Sequence, residues 1–142
     1  MSITTAANNN GTVGTTELAG ASTFTSRATF DNSQTSTVKA GDKLTFTATN
    51  GTTALTSQTV TLTATDVSNG YVDVTFTKPN EGATQTVTVN YTDLAGNVAT
   101  DTKPTDNAKL DTTTPTITVS GTPTTVGSGQ GSDTSTITFT LS

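Results

Sequence analysis

From Ser22 to about Leu110 the chain alternates apolar and polar residues with a period of two. Phe24, Ala28 and Phe30 share one parity, with Ser26 as the weak member. The same holds for Leu44, Phe46 and Ala48, for Val60, Leu62 and Ala64, for Val72, Val74 and Phe76, and for Val87, Val89 and Tyr91. Thr, Lys, Gln, Asp and Asn stand between them. Successive strand side chains point to opposite faces, so the pattern predicts strands with one buried and one wet face, the habit of antiparallel sheets. Turn-formers separate the runs: Ala40-Gly41-Asp42, Asn50-Gly51, Ser68-Asn69-Gly70, Pro79-Asn80-Glu81-Gly82 and Leu94-Ala95-Gly96-Asn97. Ser68-Asn69-Gly70 predicts a tight hairpin, because Asn and Gly accept the positive φ of a type I′ turn. Many short strands with frequent turns predict an all-β sandwich of seven or so strands over residues 22–110.

Both flanks differ from this body. Residues 1–21 keep no period and are punctuated by Asn8-Asn9-Asn10-Gly11 and Gly14, which predicts an extended arm, disordered unless a partner holds it. Thr16-Glu17-Leu18-Ala19 offers at most one helical turn. In residues 111–142, Ile117-Thr-Val119 and Ile137-Thr-Phe139-Thr-Leu141 alternate again. The second of these matches Leu44-Thr-Phe46-Thr-Ala48, at a spacing close to one sandwich repeat. The tail is therefore expected to be the first strands of a second repeat. A lone hairpin is marginal in water, so those strands need something to pack on.

Composition narrows the chemistry. The chain has 142 residues and a formal charge of -5, and it contains no Cys, His or Trp. That excludes, for this chain, a disulfide framework, a Cys/His zinc site and any His-based triad. Thr is the commonest residue, with 41 copies. Its β-branched side chain suits a strand and its hydroxyl tolerates water, so a Thr-coated sheet needs few charges. Arg27 and five scattered lysines make no footprint for nucleic acid, and no stretch reaches the ~20 apolar residues of a membrane span. Met1-Ser-Ile-Thr-Thr-Ala-Ala has neither a basic n-region nor an apolar core, unlike a secretory signal.

The run Asn90-Tyr91-Thr92-Asp93-Leu94-Ala95-Gly96-Asn97, followed by Leu110-Asp111-Thr112-Thr113-Thr114-Pro115, resembles the bacterial immunoglobulin-like repeats. Those repeats show a D-x-A-G-N turn between their last two strands and a D-T-T-x-P linker opening the next unit. Lys39-Ala40-Gly41-Asp42 and the closing Ile137-Thr-Phe139-Thr-Leu141-Ser142 are similar to that family too. The resemblance covers about 120 residues and departs at residues 1–21 and at Ala28-Thr-Phe30. It implies an immunoglobulin-like Greek-key sandwich that serves as a spacer or binding module of bacterial surface adhesins, or as a decoration or fibre component of tailed-phage virions. It also brings calcium into view, with Asp93 and Asp111 at one end of the sandwich and Asn97 and Asp106 adding oxygens. The plainer reading has Asp93 capping its own turn and Asp111 solvated in a linker.

Other candidates carry less. Lys43 and Asn90 suggest the Lys–Asn isopeptide link of some adhesin domains, but parity turns both outward. Asp66 and Asp73 flank the expected hairpin without a cleft for paired-carboxylate hydrolysis. Gly127-Ser-Gly-Gln-Gly131-Ser-Asp133 lacks the Gly-Lys-Ser/Thr ending of a phosphate loop. Sequons at Asn10, Asn50 and Asn90 follow from abundant Thr. Phe24, Phe30, Phe46, Phe76 and Phe139 share the parity of their aliphatic neighbours and are expected in the core. Tyr71 faces outward and is the contact residue of choice; in the arm, Ile3, Val13 and Leu18 are the side chains a docking partner would hold.

Two non-enzymatic readings compete. In one the chain is a virion protein whose arm docks on capsid or tail proteins, or self-associates as a homo-oligomer, while the sandwich projects from the virion surface. In the other it is a calcium-stiffened repeat of a bacterial cell-surface adhesin. Host glycans or receptors are the outward partners in either case. A soluble carbohydrate-binding module, needing exposed aromatics, ranks last.

Overall fold

Alternation dictates most of what is seen in the computed structural model, which describes residues 1–5, 10–31, 37–99, 105–121 and 136–142. The side chain of Ile3 and the glycine-rich run 127–133 lie outside the described residues. In chain order come β1 (Ser2–Thr5), β2 (Thr12–Val13), α1 (Thr15–Leu18), β3 (Thr23–Thr29), β4 (Lys43–Asn50), β5 (Thr53–Ala54) and β6 (Gln58–Thr61). Then follow α2 (Ala64–Asn69), β7 (Tyr71–Thr77), β8 (Thr84–Thr92), β9 (Thr105–Leu110), β10 (Ile117–Ser120) and β11 (Thr138–Leu141). The chain is all-β in class and divides into two compact units, Met1–Thr112 and Thr113–Ser142.

The first unit holds two sheets. One has the order β1-β3-β7, antiparallel throughout. The other runs β2-β9-β8-β4, with β5 and β6 sharing the far edge of β4. Only the β2–β9 pair in it is parallel. Ala28, Val72, Val74 and Phe76 from the first sheet and Leu44, Phe46, Ala48, Val87 and Val89 from the second form one core. Each large side chain there contributes about 1.5–3 kcal/mol by leaving water. A second cluster, Val13, Phe24, Ala108 and Leu110, is covered by the half-buried Leu18.

Residues 1–21 differ from the expected free arm. β1 pairs with β3, setting Ser2 opposite Thr29 and Thr5 opposite Ser26. β2 lies along β9, with Val13 opposite Leu110 and buried. Period-based reading misses such strands, because two to four residues are too few to show a period. α1 is the single helical turn expected, shifted by one residue.

Ser68-Asn69-Gly70 is not a hairpin. β6 belongs to the second sheet and β7 to the first, and α2 carries the chain across between them. Thr63 and Asp66 form a capping box: Thr63 Oγ1 accepts from the Asp66 N–H (3.1 Å), and Asp66 Oδ2 accepts from the Thr63 N–H (2.8 Å). Gly70, at φ 77°, ends the helix, so the positive φ that Asn-Gly signalled serves a C-cap. Ala64 is accordingly helical and exposed, not part of a strand face. Asn50-Gly51, by contrast, does close a tight β4–β5 turn.

Both edges of the three-stranded sheet are tied to the other sheet by side chains. On the β7 edge, Gln58 Nε2 donates to the Thr75 carbonyl (2.6 Å), and Asn50 Nδ2 and Gln85 Nε2 both donate to that of Thr77 (3.1 and 2.9 Å). On the β1 edge, the Thr5 N–H donates to Asp106 Oδ2. Beside it the buried hydroxyls of Thr5 and Ser26 pair at 3.1 Å.

The second unit is a two-stranded antiparallel hairpin, β10 against β11, with Ile117 opposite Leu141 and Val119 opposite Phe139. Phe139, expected in a core, is 65% exposed, and its apolar neighbours are equally bare. Among the described residues of this unit the two strands form a single layer, which leaves the stripe exposed.

Candidate functional site

The two turn motifs that carried the family resemblance meet at one buried carboxylate. Asp42 closes the Lys39–Asp42 turn by accepting the Lys39 N–H at Oδ2 (2.7 Å). The same oxygen accepts the Tyr91 hydroxyl (2.6 Å), while Oδ1 accepts the Leu94 N–H (2.9 Å). A buried carboxylate needs such donors to offset its lost hydration. Burial, then the hydrogen bond to Asp42, pushes the Tyr91 phenol well above its ordinary range. Gly41, at φ 96°, holds the left-handed backbone that a side chain would strain, and a Cβ there would also press on Leu94 Cδ1 at 3.1 Å. This cluster locks the two loops together.

Asp93 is engaged in its own turn. Its Oδ1 accepts the Asn97 N–H and its Oδ2 the Asn97 side-chain amide, both at 2.8 Å. The Asn97 amide first, then the backbone N–H groups, hold its carboxyl below the usual range. Asp111 follows β9, and its N–H donates to the Val13 carbonyl (3.0 Å). The register sets the start of β8 beside the end of β9, with Thr84 opposite Lys109. Asp93 follows the far end of β8, so the strand's nine residues, roughly 25–30 Å, separate the two acids. The expectation that they share an end of the body is corrected: no single ion can take both. Asp106 is also diverted, to Thr5, and Asn97 to Asp93. Among the described residues no group of three or more Asp or Glu side chains is placed to hold a metal.

Tyr71 lies on the outer face of the first sheet, as parity required, but is half-buried. The Arg27 guanidinium sits 3.9 Å from its ring centroid and forms a two-pronged pair with Asp73 (2.8 Å on each arm). The ring face a partner would stack on is thus occupied by Arg27. Beside it lies a groove of about 450 Å³ over Val13, Leu18 and Phe24, rimmed by Glu17, Arg27 and Asp73. Glu17 accepts the Gly14 N–H there (2.9 Å), so the rim is largely turned on itself. Val13 and Leu18, expected to meet a docking partner, meet the body's own second cluster instead. Asp66 belongs to the α2 cap and Asp73 to Arg27, so they form no carboxylate pair. Lys43 is exposed, and Asn90 stands opposite Thr45 on the same outer face.

What remains unspent is the hairpin of the second unit. Its register puts Ile117, Val119, Phe139 and Leu141 on one face, with Ile137 in line, and Thr118, Ser120, Thr138 and Thr140 on the other. The five apolar side chains are 59–71% exposed. The alternation was visible in the sequence, but the exposure of its apolar face was not.

The chain matches no protein-family model, no curated protein and no solved structure.

Proposed function

We propose that this chain is a non-enzymatic structural module displayed on a phage virion, as a capsid decoration or a fibre component. In this reading the first unit is an immunoglobulin-like Greek-key sandwich that projects outward, and the surface it shows to the medium is threonine. The observation that carries the reading is where the acids go. Asp42, Asp66, Asp73, Asp93 and Asp106 each bond within the body, holding turns, a helix cap or a sheet edge. Such an arrangement serves rigidity rather than turnover. Residues 1–21 do not serve as a free docking arm in this reading, because their strands are already paired with the body. The test is direct: antibodies against the purified chain are expected to decorate intact particles from the source organism. Absence of its peptides from the purified particle proteome overturns the proposal.

A second reading, an adhesin repeat on a bacterial surface, draws on two units in series across Asp111-Thr-Thr-Thr-Pro115. The opposite placement of Asp93 and Asp111 weakens its calcium-stiffened form. Surface labelling of whole cells in place of particles would favour it.

A further inference from the structure

Within the first unit, the apolar residues of Leu44-Thr-Phe46-Thr-Ala48 are at most 3% exposed, because Ala28, Val72, Val74 and Phe76 of the facing sheet pack on them. β11 and the residue before it repeat the pattern as Ile137-Thr-Phe139-Thr-Leu141, with these apolar side chains 59–71% exposed. In the first unit, then, a stripe of this pattern is covered by another sheet with the same alternation. We propose that the β10–β11 hairpin packs face to face on the same hairpin of a second copy, making a two-layered, four-stranded dimer interface.

Three observations choose this occupant. The described residues of the second unit carry no charged side chain, so the face offers no electrostatic selection for a charged partner. The face is apolar and uniform, hence compatible with itself, as a two-fold interface demands. Its size also suffices. Five side chains leaving roughly 100 Å² each make about 500 Å² per copy, or about 1,000 Å² in all, the lower bound for a specific interface. Two sheets at the usual ~10 Å spacing would enclose Phe139 and Val119 at the centre. A hairpin that is marginal alone gains its second layer by pairing. This association is a property of the chain itself and holds whether the module sits on a virion or on a cell.

Sedimentation of the full chain from about 1 to about 200 μM tests it. A monomer–dimer equilibrium is expected, weakened at least tenfold by Phe139→Asp or Val119→Lys and unchanged by Thr118→Lys on the threonine face. A monomer at every concentration overturns the proposal, as does a dimer indifferent to Phe139→Asp or equally sensitive to Thr118→Lys. Where a substitution melts the hairpin itself, the unaltered chain decides. Mixed-isotope NMR should show the Phe139 ring against Ile117 or Val119 methyls of the other copy, and purely intramolecular contacts refute the pairing.

Discussion

The backbone N–H of Thr5 donates to the carboxylate of Asp106, from the edge strand of one sheet to the other sheet. Thr5 is buried, so without its acceptor the N–H would have no water to turn to. Asp106→Ala is expected to cost about 1–3 kcal/mol in urea unfolding. Asp106→Asn, which keeps an oxygen acceptor, should cost less. Equal losses for the two would show that this hydrogen bond is not what holds β1.

Tyr91 gives a pH dependence at the alkaline end. The unfolded phenol ionises near its ordinary value of 10.0, and the folded one well above it. A raised value means that the folded state holds the proton more tightly, so this stability is complete below pH 10 and is lost as pH rises past it. Tyr91→Phe should lower stability by about 1–2 kcal/mol at neutral pH and remove this part of the alkaline decline. Unfolding curves at pH 8 and pH 11 for both chains check it.

At the acid end the α2 cap titrates. The backbone and then the side-chain hydrogen bond from Thr63 hold the Asp66 carboxyl below its usual 3.8. A depressed value stabilises above the unfolded pKa, and the benefit disappears as pH falls through the folded one. Thr63→Ala should cost about 1 kcal/mol at pH 7. Its deficit relative to the unaltered chain should shrink below pH 4; a deficit independent of pH would refute the box.

Phe46 is fully buried between the sheets, and Phe139 is mostly bare. Phe46→Ala should destabilise the first unit by about 3–5 kcal/mol. Phe139→Ala should leave the melting of that unit in place. Differential scanning calorimetry separates the two.

The main core was legible because its strands are long enough to alternate: Phe30, Leu44, Phe46, Val74, Phe76, Val87 and Val89 are all buried where parity placed them. The misses have local causes. β1 and β2 are too short to carry a period, and their pairing is set by partners remote in sequence. At Ser68-Asn69-Gly70 the positive φ was real, but the Thr63-Ala-Thr-Asp66 capping box upstream decides for a helix. Asp93 was legible as a turn residue, while its distance from Asp111 depends on the β8–β9 pairing. The roles of Gln58, Gln85 and Asn50 left no trace in hydropathy, since amides on a strand look alike whether they face solvent or reach across a seam.

The amides that reach the Thr75 and Thr77 carbonyls have an effect on how molecules meet. A strand arriving from a neighbour adds to a sheet by bonding to its free outer backbone. Along this stretch of β7 the acceptors are taken from within, so the body resists runaway cross-molecular growth there. Crowded side by side in many copies, such bodies could be tethered at one place and stay separate at that flank.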